Sequence, residues 1–213
     1  MKAQLGLMVA VVAGGCGDVM AYEEPEYEVV QKYEAFEVRR YPSVILAQTE
    51  VDAGFDDAGN RAFGRLAGYI GGKNEGQTSI KMTVPVEQEP VGMKFGRGQP
   101  VLQSTEADRY VVSFVIPTKF DMTSVPKPTD PRVTIKKVPA RTLAALRYSG
   151  WWSRGNYERH AEKLTTALES AGLTVTGAPI YARYNAPFTP WFLRRNEILV
   201  PVQPDSADPR PAG

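Results

Sequence analysis

Two halves of this chain repeat one order of elements, and that repetition constrains the fold more than any other feature. Each half reads strand, helix, strand, strand, and each carries the triplet VPV after its helix, at Val84-Pro85-Val86 and Val200-Pro201-Val202. In the first half, "YEVVQKYEAFEVRRYPSVILAQTEV" holds two runs rich in Val, Ile, Tyr and Phe around a YEAF turn. Pro42 then breaks the chain before a third run, Val44 to Val51. "GFDDAGNRAFGRLAGYIGG" places Phe55, Ala62, Phe63, Leu66, Tyr69 and Ile70 on one side of a helix, with Asp56 and Asp57 suited to its start and Gly71-Gly72 to its stop. Ile80, Met82, Val84 and Val86 then alternate with period two, as do Tyr110, Val112, Phe114 and Ile116.

After the proline-rich connector "MTSVPKPTDP", the second half opens with "RVTIKKV" and "RTLAALRYSG" as strands. Its helix carries an apolar stripe of Tyr157, Ala161, Leu164, Leu168 and Ala171, with Asn156 as the expected cap and Gly172 as the stop. Two such units join into one antiparallel sheet or distorted barrel with two helices packed on it, an α+β domain expected over residues 22–203.

Composition narrows the function. A formal net charge of +1, with no basic block or acidic tail, argues against a nucleic-acid partner. The single cysteine, Cys16, excludes an intramolecular disulfide. With only one histidine as well, a metal held by several protein nitrogens or sulfurs is excluded, so any metal must arrive inside a cofactor or sit on carboxylates, and no metal-ligating residues stand out.

The first 21 residues read as an export segment: Lys2, a short apolar run from Leu5 to Ala13, then small residues and Cys16. This order resembles a bacterial lipoprotein signal and predicts a lipid on Cys16, membrane attachment and a periplasmic location. Ala13 departs from the usual Leu three positions before the Cys. Plain secretion, with cleavage after Ala21, is the rival expectation. From Pro204 the Pro-rich end is expected to be disordered.

Three places attract attention as sites. His160 lies about sixty degrees from the centre of the second helix's apolar stripe, which predicts a border residue without chemistry. On the first helix, Phe63, Leu66 and Ile70 offer an apolar surface beside Arg61 and Arg65, and guanidinium groups grip carboxylates bidentately. In "YNAPFTPWFLRRNEILVPV", Phe188, Trp191 and Phe192 stand on a loop held by Pro187 and Pro190, placed to lid a pocket or to close a barrel end. Glu197 opens the last strand and, if inward, needs a partner, for which Arg194 and Arg195 are at hand. No nucleophile elbow, phosphate loop or HExxH is present, so a binding protein is expected ahead of an enzyme, and the enzyme reading that remains is a hydrolase using Glu197 with Tyr181 or Tyr184.

Four long stretches, "YEVVQKYEAFEVRRYP", "AFGRLAGYIGGKNEGQTSIKMTVPV", "YSGWWSRGNYERHAEKL" and "YARYNAPFTPWFLRRNEILVPV", closely resemble the SOUL haem-binding protein family. The resemblance implies duplicated βαββ units, an eight-stranded distorted barrel with two helices, and a bound haem or related tetrapyrrole as cofactor. It implies a shallow apolar pocket beside the first helix without an obligatory iron ligand, lined by Phe63, Leu66, Ile70 and Met82, with the loop from Phe188 to Phe192 closing it. Arg65 would meet a propionate, whereas Asn60 stands where such members carry an Arg. The fold also resembles gyrase-inhibitor-like small-molecule binders. That implies a second reading, a binder of cationic or other amphipathic molecules with Glu197 as the charged contact.

Overall fold

The computed structural model describes residues 22–92 and 109–203. The expected export segment with Cys16, and the tail from 204, lie outside them.

The described residues form β1 (Glu28–Lys32), β2 (Glu37–Tyr41), β3 (Val44–Asp52), α1 (Phe55–Ile70), β4 (Val86–Pro90), β5 (Arg109–Val115), β6 (Thr134–Val138), β7 (Arg141–Tyr148), α2 (Arg154–Ser170), β8 (Ile180–Arg183) and β9 (Asn196–Pro201). One antiparallel sheet joins the strands in the order β1-β2-β7-β9-β8-β4-β5-β3-β6. Exchanging β2 with β6, β3 with β7, β4 with β8 and β5 with β9 reverses eight members of that order onto themselves. The duplication is therefore real: each half contributes two strands, a helix and two strands, and its first strand crosses to pair with the other half. The fold is the expected α+β barrel-like sheet, and β1 is a ninth strand on one edge.

The VPV triplets do not mark the repeat. Val84-Pro85 leads into β4, but Val200-Pro201 ends β9, which is the counterpart of β5. The partner of Pro85 is Pro179, which immediately precedes β8. From Ile80 to Val84 the period-two pattern is not a strand, contrary to expectation, because the amides bond elsewhere: Ile80 N–H donates to Ile70 and Val84 N–H to Glu23, while Pro85 has no donor and the strand begins only at Val86. The alternation still buries Ile80 and Val84.

Both helices pack on one face of the sheet, α1 against β3 and β5 and α2 against β7 and β9. Asp56 and Asp57 occupy the first turn of α1 as expected. The cap of α2 is Ser153, whose hydroxyl accepts from Asn156 N–H at 3.4 Å. Asn156 instead donates its side-chain amide to the carbonyls of Ser149 and Trp151. Leu66 of α1 and Leu164 and Leu168 of α2 are completely buried. At about 25 cal/mol per Å² of apolar area, each contributes roughly 2 kcal/mol.

Candidate functional site

The helices meet at their N-terminal ends, over the centre of the sheet where the two halves join. The backbone N–H of Arg154 donates to Asp56 at 2.8 Å, and the rings of Phe55 and Tyr157 stack at 4.9 Å. Beneath them, one cross-strand row runs Tyr148 (β7), Asn196 (β9), Arg183 (β8). Tyr181 lies two residues along β8 on the same face.

Arg183 is 7% exposed. Its Nη2 donates to Gln88 at 2.9 Å, and Gln88 donates to the Phe55 carbonyl at 3.0 Å. Its guanidinium lies over Tyr181 at 4.8 Å and under Trp152 at 5.3 Å. Among the described residues no carboxylate forms an ion pair with it, and its Nε has no hydrogen-bond partner. Burial lowers its pKa below the ordinary arginine value, and Asp56 acts on it only as one of the smaller opposing influences. The hydroxyls of Tyr148 and Tyr181 are also buried with no hydrogen bond of good geometry, although they lie close enough to each other, and Tyr181 to Arg183, to influence one another's protonation. Burial pushes both far toward the neutral form.

A ladder of rings and cations leads outward from Arg183. Trp152 donates its indole N–H to Asn196 at 2.8 Å and stands between Arg183 and Arg194, whose guanidinium is 4.2 Å away. Arg194 also faces Trp151, which stacks on Trp191 at 6.1 Å, and Trp191 meets Phe192 edge-on. Phe188, 87% exposed, and Leu193, also exposed, stand on the same loop. Prolines and two bonds from Arg194, to the carbonyls of Thr189 and Pro187, shape this loop. Five large apolar side chains facing water beside guanidinium groups form a surface suited to a flat apolar ligand bearing carboxylates.

The expected site residues divide between two places. Trp191 and Phe192 gather with Trp151 at the helix junction, and Phe188 stands on the same loop. Phe63 is exposed on α1 but its ring partner is Phe114, and among the described residues no ring contact joins it to the loop. Ile70 and Met82 are partly buried against the main core. Arg65 already donates to the Glu50 carbonyl at 3.0 Å and to Thr49 at 3.3 Å. Leu66 is a correction: as a fully buried core residue it presents no surface to a ligand. His160 is half-buried at the helix border, as its wheel position predicts. Its ring stacks on Tyr148 at 4.1 Å, and Nδ1 donates to the Asn156 carbonyl at 2.7 Å.

Glu197 lies on the opposite face of the sheet, with no exposed surface. Arg39 and the Tyr184 hydroxyl bind Oε2 at 2.8 and 2.9 Å, and Arg195 binds Oε1 at 3.1 Å. The partner is Arg195 and not Arg194. Both oxygens are already held by two guanidinium groups and a hydroxyl, and the side chain presents no surface to a cationic ligand. A cavity of about 540 Å³ also lies away from α1, between Glu23, Pro42, Val44, Thr83, Val115 and Phe120.

Sequence reasoning missed Arg183, Tyr148, Trp151 and Trp152. A signal existed: in "IYARY" the period of two sets Arg183 beside Tyr181 on a face that must be buried.

The family model described as "SOUL heme-binding protein" matches residues 22–201. The chain is 31% identical to Heme-binding protein 1 of Mus musculus over 77% of its length and 82% of that protein. It is 27% identical to Heme-binding protein 2 of the same species, over 89% and 94%. Among solved structures, the C-terminal domain of EcmrR shares the fold with a TM-score of 0.59 at 12% identity, covering 83% of this chain and 98% of that domain.

Proposed function

The chain belongs to the SOUL heme-binding protein family, and from that membership we propose that it binds haem or a related tetrapyrrole on the aromatic surface at the helix junction. The single observation that supports this seat is the exposed set Trp151, Trp191 and Phe192, in ring contact with one another beside Arg194, with exposed Phe188 on the same loop. Flat macrocycles bury large apolar areas against such rings, and guanidinium groups receive their propionates. Phe63, Arg65, Ile70 and Met82 line the alternative seat along α1. His160 is not the iron ligand in this reading, because its ring packs face to face on Tyr148.

A hemin titration followed by absorbance, with His160→Ala in parallel, tests the proposal. One-to-one saturable binding that is unchanged in the variant supports it. Absence of saturable binding contradicts it, and loss of a six-coordinate spectrum in the variant contradicts the role given to His160. No observation favours the second reading, in which Glu197 contacts a cationic amphiphile.

We also propose that the protein is exported and anchored to a bacterial membrane through a lipid on Cys16. The order of Lys2, the apolar run, Ala13-Gly14-Gly15 and Cys16 supports this reading. Labelled fatty acid should enter the wild-type chain and not Cys16→Ser.

A further inference from the structure

We propose that Arg183, with the hydroxyls of Tyr148 and Tyr181, forms an interior receiving site for a carboxylate carried by a flat aromatic ligand. The tetrapyrrole reading supplies one such ligand, and to that extent the inference rests on it.

A buried guanidinium is normally matched by a carboxylate, as Arg39 is by Glu197 on the other face at 2.8 Å. Arg183 has no such match among the described residues. Its charge is held by neutral groups, Gln88 and the faces of Tyr181 and Trp152, and its Nε is left over. The two tyrosine hydroxyls beside it lie in the same buried layer without a hydrogen bond of good geometry. Native interiors leave few such groups, and three together mark a place prepared for something else. What all three lack is an anionic acceptor with good hydrogen-bond geometry. A carboxylate supplies up to four lone pairs and one negative charge, which matches Nε–H, two O–H groups and one cation.

The way in is also built. Half-buried Trp152 is the layer between Arg183 and the exposed Trp151–Trp191 pair. A turn of its indole connects the outer aromatic surface to the guanidinium. A ligand seated on the outer rings would then reach inward with one acidic arm.

The test compares protoporphyrin IX with its dimethyl ester, in wild type, Arg183→Met and Arg194→Met, by fluorescence titration. The wild type is expected to bind the diacid about tenfold more tightly than the diester, Arg183→Met to lose most of that preference, and Arg194→Met, whose guanidinium lies at the outer surface, to lose the smaller part of it. A preference undiminished in Arg183→Met, or no preference in wild type, overturns the site while leaving tetrapyrrole binding intact. If neither porphyrin binds, the tetrapyrrole reading fails and a second arm decides the site. There, 2-naphthoate should raise the melting temperature of wild type but not of Arg183→Met, and 2-naphthalenemethanol should raise neither. No rise with naphthoate overturns the site. Should Arg183→Met not fold, Arg183→Lys replaces it in both arms. Loss of the fork geometry should then reduce the acid preference and the naphthoate shift, and an unchanged value for both overturns the site.

Discussion

Gly59 and Arg183 are in contact in a way that leaves no room for a side chain: a Cβ added to Gly59 would collide with Nη1 and stand 3.1 Å from Cζ. The glycine therefore serves close approach between α1 and the guanidinium of β8. Its cost to the helix is about 1 kcal/mol relative to alanine. Gly59→Ala should nonetheless destabilise the protein by roughly 1–2 kcal/mol, since overpacking a filled interior outweighs that gain. In Arg183→Met the same change should become neutral or stabilising. Chemical denaturation of the four proteins in this cycle measures the coupling, and additive effects would show that the two residues do not press on each other.

Arg183→Met alone should raise stability by about 1 kcal/mol. The substitution removes a buried cation that has no carboxylate partner and keeps most of the apolar volume. A loss of several kcal/mol in thermal unfolding would mean that the charge is satisfied and structural.

Glu197→Gln should act in the opposite direction. It removes the carboxylate that Arg39 and Arg195 share and leaves buried Arg39 with only the partly exposed Glu37 at 3.0 Å, and breaking a buried pair on one side costs roughly 3–5 kcal/mol. Hemin affinity should stay within about twofold of wild type, because Glu197 faces away from the helix junction. The measurement is a denaturation curve beside a hemin titration.

Alkaline pH should unfold the chain cooperatively. Burial raises the hydroxyls of Tyr41 and Tyr69 to about 12 from an ordinary value of 10.0. Those of Tyr148, Tyr157, Tyr181 and Tyr184 are raised as well. The folded state thus keeps protons that the unfolded state releases above about pH 10, so stability is full below that pH and falls as pH rises toward 12. Each fully shifted tyrosine adds a slope of about 1.4 kcal/mol per pH unit. Tyrosinate absorbance and far-ultraviolet circular dichroism should change together, whereas tyrosinate appearing before the loss of secondary structure would contradict the burial.

Much of the fold was legible because each half wrote its periods plainly: three runs before Phe55, an amphipathic helix, then alternation. What the periods do not contain is pairing. Nothing local states that β2 crosses to β7, or that β8 and β4 meet at the centre, so closure had to come from the family resemblance. Ile80 to Val84 shows the limit from the other side. Alternation reports which side chains are buried, and here they are buried without a ladder. The site was half legible for the same reason. Phe188, Trp191 and Phe192 announce themselves as aromatics between prolines. Arg183 is an ordinary cation until Gly59, Trp152 and Tyr148, distant in the chain, enclose it.

The account's central claim is that the flat ligand sits on the aromatic surface at the helix junction and not along α1. The most direct measurement is hemin affinity for two double variants, Trp151→Ala/Trp191→Ala and Phe63→Ala/Ile70→Ala, each checked for folding. The first should lose about tenfold or more, equivalent to ~1.4 kcal/mol, and the second should stay near wild type. The reverse pattern would place the ligand along α1 and contradict the account.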